Sequence, residues 1–250
     1  MRIRPPALAG LILVIVGAAF LLRNTGLVEL DWSVLGAILL VAIGAAIVLG
    51  AFGRGRRGGG SRIWLPRGPA ELEVNLSAGA GRFVIGGGAD DLFELSSSDE
   101  DVRWRADRQG DRGRVRVRQE PAWIARWRPG VEWEASVASD VPAALDLTIG
   151  AGRLTLDLHD VRLVGARVSL GAASGSMRLP RPIGDVRIAV SLGAASLEIT
   201  IPAGVEARVT TRGGLLSLSG PSETSGWATA RDRVTVSVSG AAASLRVQQA

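Results

Sequence analysis

Several residue types that build catalytic or cross-linked sites are missing or rare in this chain. It has no cysteine, which excludes disulfides, thiolate metal sites and thiol catalysis. His159 is the single histidine, so a metal site with two histidine ligands cannot form, and a Ser/His/Asp triad would have to use this residue. Every basic residue is arginine and none is lysine. Cysteine, histidine and lysine, which commonly serve as catalytic nucleophiles, general bases or metal ligands, are therefore absent or present only once.

The glycine-rich and acidic stretches also lack the spacing of known ligand sites. Residues 58–60 and 86–88 are glycine runs without the lysine of a P-loop or the spacing of a dinucleotide-binding turn. The acidic stretches 90–91 and 99–101 lack the regular spacing of a calcium loop. We therefore expect no enzyme activity, and we assign no catalytic, cofactor-binding or metal-binding residue.

Charge is distributed unevenly along the chain. The formal net charge is +5; residues 1–70 hold eight arginines and two acids, which gives +6, so the remainder carries −1. Because the larger part of the chain has no basic excess, we expect no nucleic-acid partner.

Two long uncharged apolar stretches set the first 53 residues apart. Residues 6–22 and 33–53 contain 17 and 21 residues, which as helices would reach about 25 and 31 Å, close to the ~30 Å hydrocarbon core of a bilayer. The polar stretch 23–32 between them suits a turn at the membrane surface. Residues 1–53 are therefore predicted to form a two-helix transmembrane hairpin. A cleaved signal peptide is the alternative for the first stretch.

The arginines predict how such a hairpin is oriented. Seven of the eight arginines in residues 1–70 lie outside the inter-helix turn, and basic flanks stay cytoplasmic. We expect a protein of the bacterial inner (plasma) membrane with both termini cytoplasmic; cleavage of the first stretch would leave the remainder on the same side. Residues 54–70 form a basic Gly/Arg linker that either only enforces this topology or also binds anionic lipid. Its arginines are Arg54, Arg56, Arg57, Arg62 and Arg67.

From residue 71 onward, the sequence repeats one unit: an alternating apolar strand, a Gly/Ala corner, and a second alternating strand in the opposite phase. Leucine and isoleucine occupy odd positions from 145 to 149 and leucine even positions from 154 to 158. A chain that turns at small residues explains this change of phase. The corners lie at residues 79–81, 150–152, 171–173, 193–195, 213–214 and 240–243.

The spacing of the corners predicts an all-β repeat domain over residues 71–250. After residue 150 the corners follow at 21, 22, 20 and 27 residues, which is typical of a solenoid-like or stacked β-sheet with rungs of about 21 residues. The first two corners are 71 residues apart. That gap holds either degenerate units or an insertion.

A Trp/Arg-rich region, residues 101–134, lies inside this gap. Residues 71–100 carry one arginine and seven acids, whereas residues 101–130 carry nine arginines and four acids. The arginines could pair across strands, or they could meet lipid headgroups or an acidic partner. The tryptophans either cap the open end of the array or form an interfacial helical turn. The residues concerned are Arg114, Arg116, Arg118, Trp104, Trp123, Trp127 and Trp133.

The order of the short motifs resembles the C-terminal domain of the LiaF-like cell-envelope stress regulators, a domain type called the toast rack. The likeness covers about residues 71–220. The stretches that carry it are 132–134, 145–152, 156–158, 168–173, 179–180 and 201–204, and residues 10–22 and 32–36 are similar to the membrane region of the same family.

The resemblance implies a membrane-anchored, non-catalytic accessory protein. Such a protein tunes, by protein–protein contact, a two-component sensor histidine kinase that responds to antibiotics acting on the cell wall. This chain has two predicted spans where the best-known members have more. The expected partners are the lipid bilayer and a sensor histidine kinase or another membrane protein.

Two other functions are compatible with the pattern. A structural membrane scaffold would self-associate through exposed strand edges, giving a homo-oligomer. We expect the last unit, residues 234–247, to leave such an edge uncovered, since only three residues follow it. A carbohydrate-active β-helix enzyme would need an outside location and paired carboxylates along one face.

Overall fold

The computed structural model describes residues 61–98, 102–119 and 131–250, whose regular structure is entirely β-strand. The predicted hairpin, residues 1–53, lies outside the described residues. Within the three described ranges, no helix is long and apolar enough to cross a bilayer. The strands are β1 (Ser61–Leu65), β2 (Glu71–Gly87), β3 (Phe93–Ser97), β4 (Val102–Gln109), β5 (Arg112–Gln119), β6 (Val131–Val137), β7 (Ala143–Asp157), β8 (Leu163–Arg178), β9 (Asp185–Leu192), β10 (Ser196–Ile201), β11 (Glu206–Arg212), β12 (Leu215–Ser219), β13 (Arg233–Gly240) and β14 (Ala242–Gln249).

The strands form two ladders that are joined through three long strands. The first halves of β2, β7 and β8 belong to arm A, in the order β4-β5-β2-β7-β8-β9-β13-β11. Their second halves belong to arm B, in the order β1-β3-β6-β2-β7-β8-β10-β14-β12. Neighbours run parallel except at β4–β5, β3–β6 and β1–β3. Each rung of the stack therefore contributes one strand segment to each arm.

The chain turns at the small residues, as predicted. Ala78 and Phe83 are both buried although they lie five positions apart, an odd number that would place them on opposite faces of a straight strand. Both nevertheless line the same internal void of about 10 Å³, together with Ile149 and Trp133. The two arms thus enclose one core. In β2, β7 and β8 the strand pairing continues through the turn, where two separate strands were expected.

Glycine at the corners allows neighbouring rungs to stack closely. A Cβ on Gly171 would lie 2.3 Å from the carbonyl oxygen of Gly150, and one on Gly152 would lie 2.0 Å from that of Gly81. Gly152 also has φ of +117°, a conformation that side chains disfavour. The corners therefore require residues without bulk for both packing and backbone reasons.

The long gap between the first two corners contains a degenerate rung and additional antiparallel strands. Strand β7 pairs directly with β2, and on the other side of β2 lie β5 in arm A and β6 in arm B. Strands β4, β3 and β1 then extend this end of the stack. Because β1 begins at Ser61, the β structure starts within the stretch assigned to the Gly/Arg linker, residues 54–70.

The expectation that the last unit, residues 234–247, leaves an uncovered strand edge is wrong. Strand β13 pairs with both β9 and β11, and β14 pairs with both β10 and β12, so the last rung in sequence is an interior rung. The terminal rung is formed by β11 and β12. Because every rung offers the same kind of backbone edge, the repeat pattern identifies the rungs but does not fix their order.

Candidate interaction surfaces

The outer face of arm A presents polar side chains in registered rows. Parallel pairing without register shift places equivalent positions of successive rungs side by side. One row of hydroxyl residues crosses five strands and consists of Ser77, Thr148, Ser169, Ser191 and Ser239. This row is therefore polar and uncharged, and selective binding would depend on the charged and irregular parts of the face.

Four arginines lie together where β4 pairs with β5. Arg103 is opposite Arg118, and Arg105 is opposite Arg116. Arg105, Arg116 and Arg118, here called the basic surface, are exposed. Like charges placed directly opposite each other destabilise a strand pair. In the part of the chain that the structure describes, Arg105, Arg116 and Arg118 form no ion pair, so the repulsion between Arg105 and Arg116 is not offset there.

The arginines at the other end of β5 are neutralised by β2. Arg112 lies 2.7 Å from the Glu71 carboxylate, and Arg114 lies 2.8 Å from that of Glu73. The hydrogen bond that Arg112 donates to Glu71 raises the pKa of its guanidinium above the ordinary value. The predicted pairing across strands is therefore confirmed for Arg114, and it does not extend to the basic surface.

The tryptophans of the Trp/Arg-rich region have different environments. Trp133 is buried in β6 and packs edge-on against Phe83, with ring centroids 5.5 Å apart. Trp104 on β4 is 51% exposed. Trp123 and Trp127 lie outside the described residues. Trp133 thus packs in the core on a strand that β3 and β1 cover, and not over the open end of the array, whereas Trp104 is exposed at the surface.

Trp64, which no sequence pattern singled out, is another exposed aromatic side chain. It lies on β1 and is 58% exposed. β1 and β4 are the outermost strands of the two arms at the same end of the stack. This end therefore presents two partly exposed tryptophans and the basic surface.

A shallow groove interrupts the outer face of arm A beside a β-bulge. The pairing of β7 with β8 shifts by one residue after Ala143, which leaves Val164 without a partner on β7 and strongly exposed. Small residues of β7, β8 and β9 line a groove of about 560 Å³. Its border carries both signs of charge, with Arg167 lying 3.6 Å from Asp146. Arg187 adds a second, strongly exposed cation.

The opposite end of arm A is covered by the loop that follows β12. The backbone N–H of Ala207 on β11 donates to the Thr224 hydroxyl over 2.9 Å, and that hydroxyl donates to the Glu206 carboxylate. The guanidinium of Arg208 lies 3.4 Å from the ring centroid of Trp227, a cation–π contact. The edge of β11 is therefore not available to another strand.

The edge of β12, at the same end of arm B, is uncovered among the described residues. β12 pairs on one side, with β14. Leu215 is 76% exposed and Leu218 is 38% exposed, and β12 carries no charged side chain. A neutral, partly apolar free edge is the type of surface to which another strand can add.

His159 and the acidic pair 90–91 lie in turns, and the acidic stretch 99–101 lies outside the described residues. His159 follows β7, and its backbone N–H donates to the Asp157 carboxylate over 3.1 Å. The N–H groups of Asp90 and Asp91, between β2 and β3, donate to the Glu94 carboxylate. Within the described ranges, no three His, Cys, Asp or Glu side chains are grouped closely enough to hold a metal ion.

Two ladders of parallel strands that share one core and turn at small residues define a toast-rack fold. Residues 63–200 match the family model of the N-terminal domain of toast_rack, DUF2154. The chain belongs to this family. The match ends with β10, so the two rungs built from β11 to β14 lie beyond it.

One solved structure of the same architecture supports the fold. A crystal structure of a proposed cell adhesion protein from Clostridium sporogenes is 15% identical to this chain, with a TM-score of 0.69, and the similarity covers 77% of this chain and 99% of that one. A proposed adhesin from Bacteroides fragilis is 9% identical, with a TM-score of 0.30 and coverage of 76% and 96%. No curated protein matches the chain. At these identities, the first likeness supports the fold alone.

Proposed function

We propose that this protein is a membrane-anchored, non-catalytic accessory protein that modulates an envelope-stress sensor histidine kinase by protein–protein contact. The observation that carries the proposal is the junction of two parts: a toast-rack stack that begins at residue 61 and, before it, two apolar stretches long enough to span a bilayer. In this proposal the protein is LiaF-like, residues 1–53 form the hairpin, and the stack faces the cytoplasm of a bacterium.

The groove on arm A is the surface that best suits a protein partner. Val164 supplies an exposed apolar side chain at its border, and Asp146, Arg167 and Arg187 supply charges of both signs. Exposed apolar surface beside charges of both signs is a common composition of a specific, reversible interface. Binding there would act stoichiometrically, by favouring one conformation of the kinase over another.

Affinity purification from native membranes tests the proposal. Tagged full-length protein, cross-linked in cells exposed to a cell-wall antibiotic, is expected to recover a sensor histidine kinase. Val164→Arg should reduce this recovery, because it places a large charged side chain on the groove. Thr155→Arg, on the outer face of arm B, is the matched control and should not. Purifications that recover no kinase or other envelope protein contradict the proposal.

A second candidate function, a self-associating membrane scaffold, is favoured by one observation. The uncovered β12 edge carries exposed leucines and no charge, so a second copy could add a strand without like-charge repulsion. This function predicts oligomers that grow with protein concentration, whereas the regulatory function does not need them.

A further inference from the structure

The first strand attaches the preceding chain to a defined end of the stack. β2 pairs with β7 on one side and with β5 and β6 on the other, so β5, β4, β6, β3 and β1 all lie on the side away from β7. β1 begins at Ser61, so residues 1–60 join the stack at the end that carries the basic surface.

The charge of this end is not compensated by the neighbouring strand. Beside Arg116 and Arg118, β2 places Asn75 and Ser77, which are neutral. Among the described residues, the nearby acids are already engaged, because Glu73 binds Arg114 and, one strand further along the same row as Asn75, Asp146 lies beside Arg167. Asp107 shares a row with Arg114 rather than with the basic surface. Within the described ranges, the basic surface therefore has no acidic complement, and an anionic partner would supply one.

The same end carries aromatic side chains suited to a membrane interface. Trp64 and Trp104 lie on the two outermost strands, and each exposes more than half of its surface. Tryptophan is enriched at the headgroup level of bilayers, where its ring is partly buried and its N–H stays hydrated. Arginine and tryptophan at one end of a fold are thus typical of an interfacial contact.

We propose that the β1–β4 end of the stack docks on anionic phospholipid headgroups, with the basic surface binding lipid phosphates and Trp64 and Trp104 entering the headgroup region. The inference rests on the proposed membrane anchor. If residues 1–53 lie in the bilayer, residues 54–60 span at most about 25 Å, so this end is held close to the lipid. Docking leaves the β12 edge, at the other end of the stack, turned away from the bilayer lipids, where a partner can reach it.

The absence of cysteine makes the docked state measurable by energy transfer. A cysteine at Gln109, exposed on β4, reports the proposed membrane-facing end, and one at Ser219, exposed on β12, reports the other end. The labelled full chain is reconstituted into phosphatidylcholine vesicles with or without about one-third phosphatidylglycerol, together with an acceptor-labelled lipid. Transfer from the Gln109 label should rise with the anionic lipid and fall again at high salt, while transfer from Ser219 should not rise.

Charge-removal variants decide whether the basic surface causes docking. The triple variant Arg105→Gln, Arg116→Gln and Arg118→Gln should lower the ratio of docked to undocked protein on the order of 100-fold, given the usual contribution of one cation near an anionic surface. The matched control removes three exposed arginines outside the groove and the basic surface, Arg212→Gln, Arg231→Gln and Arg246→Gln, and should leave docking unchanged. Circular dichroism verifies that both triple variants keep their β structure.

Results that contradict docking differ from results that contradict the membrane anchor. A full chain that inserts but transfers energy equally in neutral and anionic vesicles contradicts docking and leaves the anchor intact. Equal losses in the two triple variants also contradict it, since net charge rather than this surface would be responsible. A chain that an alkaline wash removes from vesicles contradicts the anchor and with it the proposed function. Charge-insensitive vesicle data combined with arginine-dependent capture of an acidic protein would assign the surface to that protein instead.

Discussion

Adding one methyl group should reduce stability most at the corner glycines, where neighbouring rungs are in contact. Gly171→Ala would place a Cβ 2.3 Å from the Gly150 carbonyl oxygen, and two packed backbones must separate to relieve the overlap. We expect the free energy of unfolding to fall by about 2–3 kcal/mol, the usual effect of overpacking. Urea denaturation of the full chain in detergent micelles, followed by circular dichroism, measures this change.

Gly214→Ala is the control for that substitution. A Cβ at Gly214 would meet no atom within 4 Å, and the residue is not among the glycines with positive φ. Its stability should change little. Equal destabilisation by both substitutions would show that glycine is needed for its flexibility and not for close stacking of the rungs.

A surface ion pair fixes the titration of one carboxylate. The Arg67 guanidinium donates a 2.7 Å hydrogen bond to Asp140 and holds the pKa of that carboxyl below its ordinary value. A lowered pKa in the folded state stabilises the fold above the unfolded-state pKa and ceases to do so as the pH falls through the folded-state pKa. Arg67→Gln should raise the pKa of Asp140, which carbon-detected NMR titration measures. An unchanged pKa would show that the Asp140 backbone N–H determines it instead.

At the scale of strands, the local pattern predicted much of the fold because its signals are local. Alternation of apolar residues and a change of phase at glycine depend on a few neighbouring residues, and they located arm A, the corners and arm B in six rungs. The rung formed by β5 and β6 was not recognised as one unit, because no Gly/Ala corner separates residues 119 and 131. The position of β13 and β14 depends on long-range pairing, which no local pattern encodes.

The candidate surfaces were predicted only in part, for the same reason. The alternation of valine and arginine indicated that β5 has a cationic face, yet which arginines are neutralised depends on the register that places Glu71 and Glu73 beside Arg112 and Arg114. Trp64 and Trp227 gave no signal, since their exposure and contacts follow from being at the two ends of the stack. The groove arises from a one-residue register shift that the sequence does not show.

The loop that covers β11 should protect the backbone of that strand from hydrogen exchange. Thr224→Val keeps the shape of the buried side chain but removes the acceptor of the Ala207 N–H and the donor to Glu206. Leaving such groups unpaired costs about 1–3 kcal/mol. Hydrogen exchange at the Ala207 amide should accelerate accordingly. Thr229→Val, which loses a hydrogen bond in an exposed turn, is the control and should leave Ala207 protected.

For the whole molecule, the free edge of β12 distinguishes a scaffold from a regulator. If copies assemble through this edge, Leu218→Lys should weaken the association on the order of tenfold or more, since charge on an edge strand opposes strand addition. Sedimentation of the full chain in detergent over a range of concentrations measures it. Ile183→Lys changes an exposed apolar residue outside the strands and serves as the control. A wild-type protein that remains monomeric at every concentration excludes the scaffold.

The interior position of the last rung affects how the protein is made. A ribosome releases β11 and β12 before β13 and β14, yet the earlier pair can reach the rest of the stack only through the later one. Folding during synthesis can thus proceed rung by rung as far as β10. β11 and β12 can join the stack only after β13 and β14 have been synthesised. A nonsense mutation near residue 230 would remove the strands with which β11 and β12 pair. The loss of about twenty residues would therefore prevent roughly twice that length of chain from joining the stack.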